Sequence, residues 1–130
     1  MENLLEQASL LLVVLFLMLT FLQSGVDKVI DWKGNLDFIS GHFKNSPLGG
    51  MVPLLLAIIT VMELAAGILL TIGLVQIIMG AESLMAYLGL ILSGLSLVFL
   101  LFGQRLAKDY DGAKTLAIYF IVVIAGFLLY

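Results

Sequence analysis

One carboxylate, Glu63, stands inside the apolar run TVMELAAGILLTIG at residues 60–73. A charged side chain at the centre of a bilayer costs roughly 3 kcal/mol or more, so such groups mark a partner, a cavity or a proton path. On a helix its same-face neighbours are Thr60, Gly67 and Thr71, a narrow polar and small stripe among Leu, Ile, Val and Met. That stripe is expected to face protein. In the third apolar segment Ala86, Gly89, Ser93 and Ser96 repeat the pattern, and small residues of this kind let helix backbones approach closely in lipid. Gly67, Thr71, Gly89 and Ser96 are therefore the expected packing positions. The first segment offers Thr20, Gln23, Ser24 and Asp27 along one face.

Matching depths in an antiparallel bundle sets Glu63 near Thr20, Ser93 and Tyr119, none of them cationic. On that placement Glu63 is expected to be largely protonated and to donate a hydrogen bond, because desolvation disfavours the charged form. Lys28 is the nearest counter-ion, and if its long stem reaches inward the carboxylate ionises instead. Glu63, Lys28, Thr60, Ser93 and Tyr119 make up the candidate ligand or proton site; the plainer alternative is that Glu63 only ties helices together.

The remaining polar residues carry less chemistry. His42, the one histidine, stands beside Phe43 and Lys44 in a connection and reads as an interfacial or solvent-facing side chain. Asp27, Lys28, Asp31 and Lys33 read as a solvated charged face, with i,i+4 helix pairing the alternative. There is no cysteine, which removes disulfides, thiolate catalysis and Cys-ligated metal from this chain, and no His and carboxylate cluster has metal-ligand spacing. No catalytic or metal residue is assigned, and no basic patch supports nucleic-acid binding.

The elements that must hold these residues follow from composition. The chain has 130 residues, 62% hydrophobic and 12% charged, against about 25% charged in soluble domains. It is a membrane protein by this measure. Four apolar segments, about 8–29, 52–79, 83–102 and 112–130, are each long enough to cross a hydrocarbon core of about 30 Å. The fold class expected is all-α, a single four-transmembrane-helix domain. The acidic start of the chain, with no A-x-A-like cleavage site after it, reads as part of a retained helix rather than a signal peptide.

Between the first two spans the Asp27–Pro47 connection mixes charges with Val29, Ile30, Trp32, Leu36, Phe38, Ile39 and Phe43, and is expected to lie on the membrane surface. The Gly80–Ser83 turn is tight, and in the GQRLAKDYDGA turn Gly103 is expected to end one helix while Asp109 or Asp111 caps the next. All six basic residues fall in or beside the first and third connections. The positive-inside rule places those connections in the cytoplasm and both termini outside.

The stretch FLQSGVDKVIDWKGN, followed by PLLLAIITVMELAAGILLTIG, resembles the DoxX family of small four-helix bacterial membrane proteins over nearly the whole chain. Ser24, Gly25, Lys28, Pro53, Glu63, Gly67 and Gly73 carry the likeness; where many members have an arginine near the start, this chain has Glu2 and Glu6. The resemblance implies the bacterial cytoplasmic membrane and association with oxidoreductase complexes, relatives including a subunit of a thiosulfate:quinone oxidoreductase. It implies a non-catalytic or quinone-contacting subunit, with Glu63 and Lys28 the groups that meet a quinone carbonyl or proton. No residue of the chain holds an electron, so the redox centre must be the quinone or a partner protein. The expected partners are the lipid bilayer and other membrane subunits or further copies of the chain, and no catalytic activity is expected of the chain alone.

Two other functions compete. A proton-coupled transporter would use Glu63, in the manner of the small multidrug resistance transporters, whose critical glutamate lies in the first helix rather than the second. An assembly or structural factor would need Glu63 only for packing.

Overall fold

In the computed structural model, residues 5–130 are described, and they are all-helical, with 84% helix and no strand among them. Residues 1–4, where the acidic N-terminal reading begins, lie outside the described residues. The helices are α1 (Ala8–Ile30), α2 (Trp32–His42), α3 (Val52–Ile78), α4 (Leu84–Leu106) and α5 (Tyr110–Leu129). α1, α3, α4 and α5 are long and apolar enough to span a bilayer, with a mean hydropathy of 2.1 to 2.4 over their best windows, so the chain is a multi-pass membrane protein. Pro53 sits in the first turn of α3, where its missing N–H has no intrahelical partner to lose.

Both tight turns close with the same backbone device. At the end of α3 the Ala81 N–H donates to the Gln76 carbonyl and Gly80 to Ile77, with Gly80 at φ 77°. At the end of α4 Asp109 donates to Gln104 and Lys108 to Arg105, with Lys108 at φ 61°. These paired bonds satisfy the last carbonyls of each helix and need a left-handed residue at the pivot. Glycine supplies it in the first turn and lysine in the second. Gly103 does not end α4, as expected from sequence; the helix runs on to Leu106, and a Cβ on Gly103 would lie 3.4 Å from the Phe43 ring. That glycine makes room for an aromatic neighbour. Asp109 is the cap of α5, its Oδ1 accepting from the Gly112 N–H at 2.9 Å.

α3 lies between α1 and α4, and α5 packs on α4 and α1. Close approach depends on small residues at both faces of α3. A Cβ on Gly67 would stand 2.5 Å from Leu22 of α1, and one on Gly89 of α4 would stand 2.8 Å from Leu70. At either position an added methyl would push the leucine aside and tighten the backbone approach, whereas a Cβ on Gly73 would meet the Ala86 backbone itself. The dry centre is filled by Val14, Leu17, Phe21, Leu70, Leu90 and Val123.

The same contacts set the register. Leu22 meets Gly67 and Gly25 meets Leu64, so α1 ends level with Ile59. The first seven residues of α3 therefore run about 10 Å beyond α1 at 1.5 Å per residue. α2 crosses over that overhang. The connection expected to lie flat on the membrane is thus partly a cover. Phe38 remains 73% exposed while Ile39, His42 and Phe43 turn inward. No i,i+4 pairing forms among Asp27, Lys28, Asp31 and Lys33, since the one pair four apart, Asp27 and Asp31, is acidic at both positions. Asp31 caps α2 by accepting from the Gly34 N–H, Asp27 accepts from Asn35, and Lys28 points into the bundle.

Candidate functional site

Lys28 lies in the last turns of α1, one helical turn after Ser24, so both side chains project from the same face toward α3. Its Nζ donates to Ser24 Oγ at 2.6 Å and to the Ser24 carbonyl at 3.4 Å. Ser24 Oγ in turn donates to Glu63 Oε2 at 2.6 Å. Lys28 Nζ stands 2.9 Å from Glu63 Oε1, off the angle of a directed hydrogen bond, so Oε1 is paired through charge alone. The three groups form a closed ring in which the hydroxyl passes a hydrogen bond from ammonium to carboxylate. Glu63 is 3% exposed.

The geometry is that of the second alternative, in which the Lys28 stem reaches inward as the counter-ion: Glu63 Oε1 faces the ammonium and Oε2 meets the Ser24 hydroxyl. The reason is reach. Glu63 is eleven residues into α3, about 16 Å, but the overhang of α3 leaves it only about one turn inside the end of α1. A lysine stem spans that depth.

The other candidate residues lie elsewhere. Thr60 is buried and donates to its own Leu56 carbonyl at 2.7 Å, and Ser93 donates to Gly89 at 2.7 Å. Thr20 donates to Phe16 at 2.8 Å, while Tyr119 packs its ring against Phe16 at 6.3 Å between centroids. None hydrogen-bonds Glu63. The Gly73–Ala86 and Gly89–Leu70 approaches bring Ser96, rather than Ser93, level with Glu63, and Ser96 donates to Leu92. Gly67 and Gly89 sit at helix crossings, and Thr71 donates to the Gly67 carbonyl.

Beside the triad, under α2, a cavity of about 290 Å³ opens along the overhang of α3. Phe38, Phe43, Phe99, Phe102, Leu56 and Ile59 make it apolar and aromatic. Lys28 contributes to its deep end, and His42, Gln104 and Asp109 to the end nearer the α4–α5 turn. His42 is therefore not a free surface group. Its Nε2 lies 3.0 Å from Gln104 Oε1 and 3.2 Å from Asp109 Oδ2, with the side chain 27% exposed. A partly open, mostly apolar cleft with a few convergent polar groups is a usual form of a small-molecule site.

Chemically, the end beside the triad offers an ammonium that lines the cavity and whose charge is balanced by Glu63. That is suited to a carbonyl or a developing phenolate. Ser24 was legible on the polar face of the first segment but stood outside the candidate site, as did His42, Gln104 and Asp109. Ser24 had a local signal in its i,i+4 spacing to Lys28, whereas His42 and Gln104 are 62 residues apart and only the crossing of α2 over α4 joins them. Family models, curated proteins and solved structures offer no match to this chain.

Proposed function

We propose that the chain is a DoxX-like subunit of a bacterial membrane oxidoreductase complex, itself non-catalytic, and that its cavity receives the ring of a quinone. The observation that carries this reading is the lining of the cavity: Lys28, neutralised by Glu63 and bridged by Ser24, contributes to an aromatic wall. A quinone is flat and apolar except for its carbonyl oxygens. Phenyl rings favour its faces, and an ammonium favours its oxygen. The chain positions the ring, and electrons come from a partner protein.

Lys28, Lys33, Lys44, Arg105, Lys108 and Lys114 all belong to the end of the bundle that holds the cavity. The positive-inside rule then sets that end in the cytoplasm and both termini outside. The transport reading has less support, since Glu63 already accepts from Ser24 and faces Lys28.

Purification in mild detergent, followed by solvent extraction and mass analysis of what accompanies the protein, tests the proposal. Near-stoichiometric quinone, or a redox partner, is the expected result. The Lys28→Met, Glu63→Gln double variant, which leaves no unpaired charge, is expected to lose the quinone while retaining its yield. Wild-type protein free of both quinone and partner refutes the reading.

A further inference from the structure

The cavity has a second polar end that the triad does not explain. His42 Nε2 faces two oxygens, Gln104 Oε1 at 3.0 Å and Asp109 Oδ2 at 3.2 Å. An ionised carboxylate only accepts, so the proton of a neutral imidazole resides on Nε2 and leaves Nδ1 as a bare lone pair. Nδ1 has no hydrogen-bond partner among the described residues. The ring is fixed on both sides, stacked with Phe38 at 6.2 Å and edge-on to Phe43 at 5.2 Å. Asp109 is fixed as well, because its other oxygen caps α5. An aspartate that holds a histidine in one tautomer leaves its other nitrogen an acceptor, here on a residue that lines the cavity.

We propose that His42 Nδ1 accepts a hydrogen bond from a hydroxyl on the bound ring, and that the site therefore prefers a hydroquinone to the matching quinone. This rests on reading the cavity as the quinone site. Lys28 at the deep end serves an oxygen in either form, since both a carbonyl and a hydroxyl oxygen accept. His42 separates the two, because only the reduced form carries O–H. Nothing is oxidised and no covalent bond changes on binding; one O–H bond turns from water to Nδ1. His42, Asp109 and Gln104 are thus specificity residues for the reduced form.

Trimethylhydroquinone and trimethylbenzoquinone, which share ring and size, provide the test under anaerobic conditions. The wild-type protein in nanodiscs is expected to bind the hydroquinone about tenfold more tightly, the value of one hydrogen bond, and His42→Phe is expected to erase the difference. A tenfold preference raises the two-electron potential of the bound couple by about 30 mV. Because His42 is the one histidine of the chain, its imidazole ¹⁵N resonances can be followed in the wild-type protein without any substitution. They are expected to report the Nε2–H tautomer and to shift with the hydroquinone only. Equal binding of the two rings, or hydroquinone binding with silent His42 resonances, overturns the role of His42 while the quinone site stands. Failure of both rings to bind overturns both readings.

Discussion

The Lys28–Glu63 pair has an energetic asymmetry that a substitution series can read. A buried ion pair adds little net stability over an apolar replacement, but removing one partner strands the other charge, at a cost of about 3 kcal/mol or more. Glu63→Gln is therefore expected to lower unfolding free energy by about 3 kcal/mol, with Ser24 keeping an acceptor and Lys28 losing its counter-charge. Adding Lys28→Met to that variant is expected to restore most of the loss, as measured by reversible unfolding in micelles. Additive losses in the double variant would show that the two groups do not act as a pair. Glu63 itself was legible in the sequence, since one acid in an apolar run has few explanations. Its partner was left between alternatives because depth was counted from helix ends, and the ends of α1 and α3 are not level. A displacement of seven residues carries a lysine from the rim into reach.

The helices were legible to within a few residues, because hydropathy alone sets spans of this length. Their ends were less so. Gly80 announced its turn, whereas Lys108 gave no sign of a left-handed pivot, since glycine or asparagine is the usual occupant there. An L-residue with a Cβ in that conformation costs about 1 kcal/mol, so Lys108→Gly is expected to stabilise the fold by about that amount. Lys108→Ala retains the Cβ and is expected to leave stability nearly unchanged. Equal gains from both substitutions, measured by the same unfolding assay, would mean that the side chain and not the backbone carries the cost. Within α4, Gly103 was read as a stop because glycine is the usual residue just past a helix C-terminus; its Cα instead lies under Phe43, a contact from 60 residues away that no local pattern encodes. The segment that forms α2 was legible as a surface connection of mixed charged and apolar residues, not as a helix, and which of its faces finds protein depends on the overhang beneath it.

At the level of the assembled bundle, both ends can be addressed in a chain that has no cysteine to remove. Glu82→Cys, in the short turn between α3 and α4, is expected to react with an impermeant thiol reagent in intact cells, and Ser46→Cys, in the connection after α2, only after lysis. The reverse pattern would invert the proposed orientation. Arg105 over the Tyr110 ring, 5.4 Å from its centroid, and the Tyr87–Tyr130 contact at the other end mark the two rims between which this orientation is defined. The closed triad also constrains the order of events at the ribosome. Lys28 lies 35 residues ahead of Glu63, so α1 enters lipid with an ammonium whose counter-charge has not yet reached the bilayer. Until then that stem must extend to the headgroups, where lysine keeps its hydration. Docking of α3 against α1 swings it inward, which makes the junction of these two helices a late, post-insertion step. A nascent chain stalled before α3 clears the translocon keeps Lys28 wet.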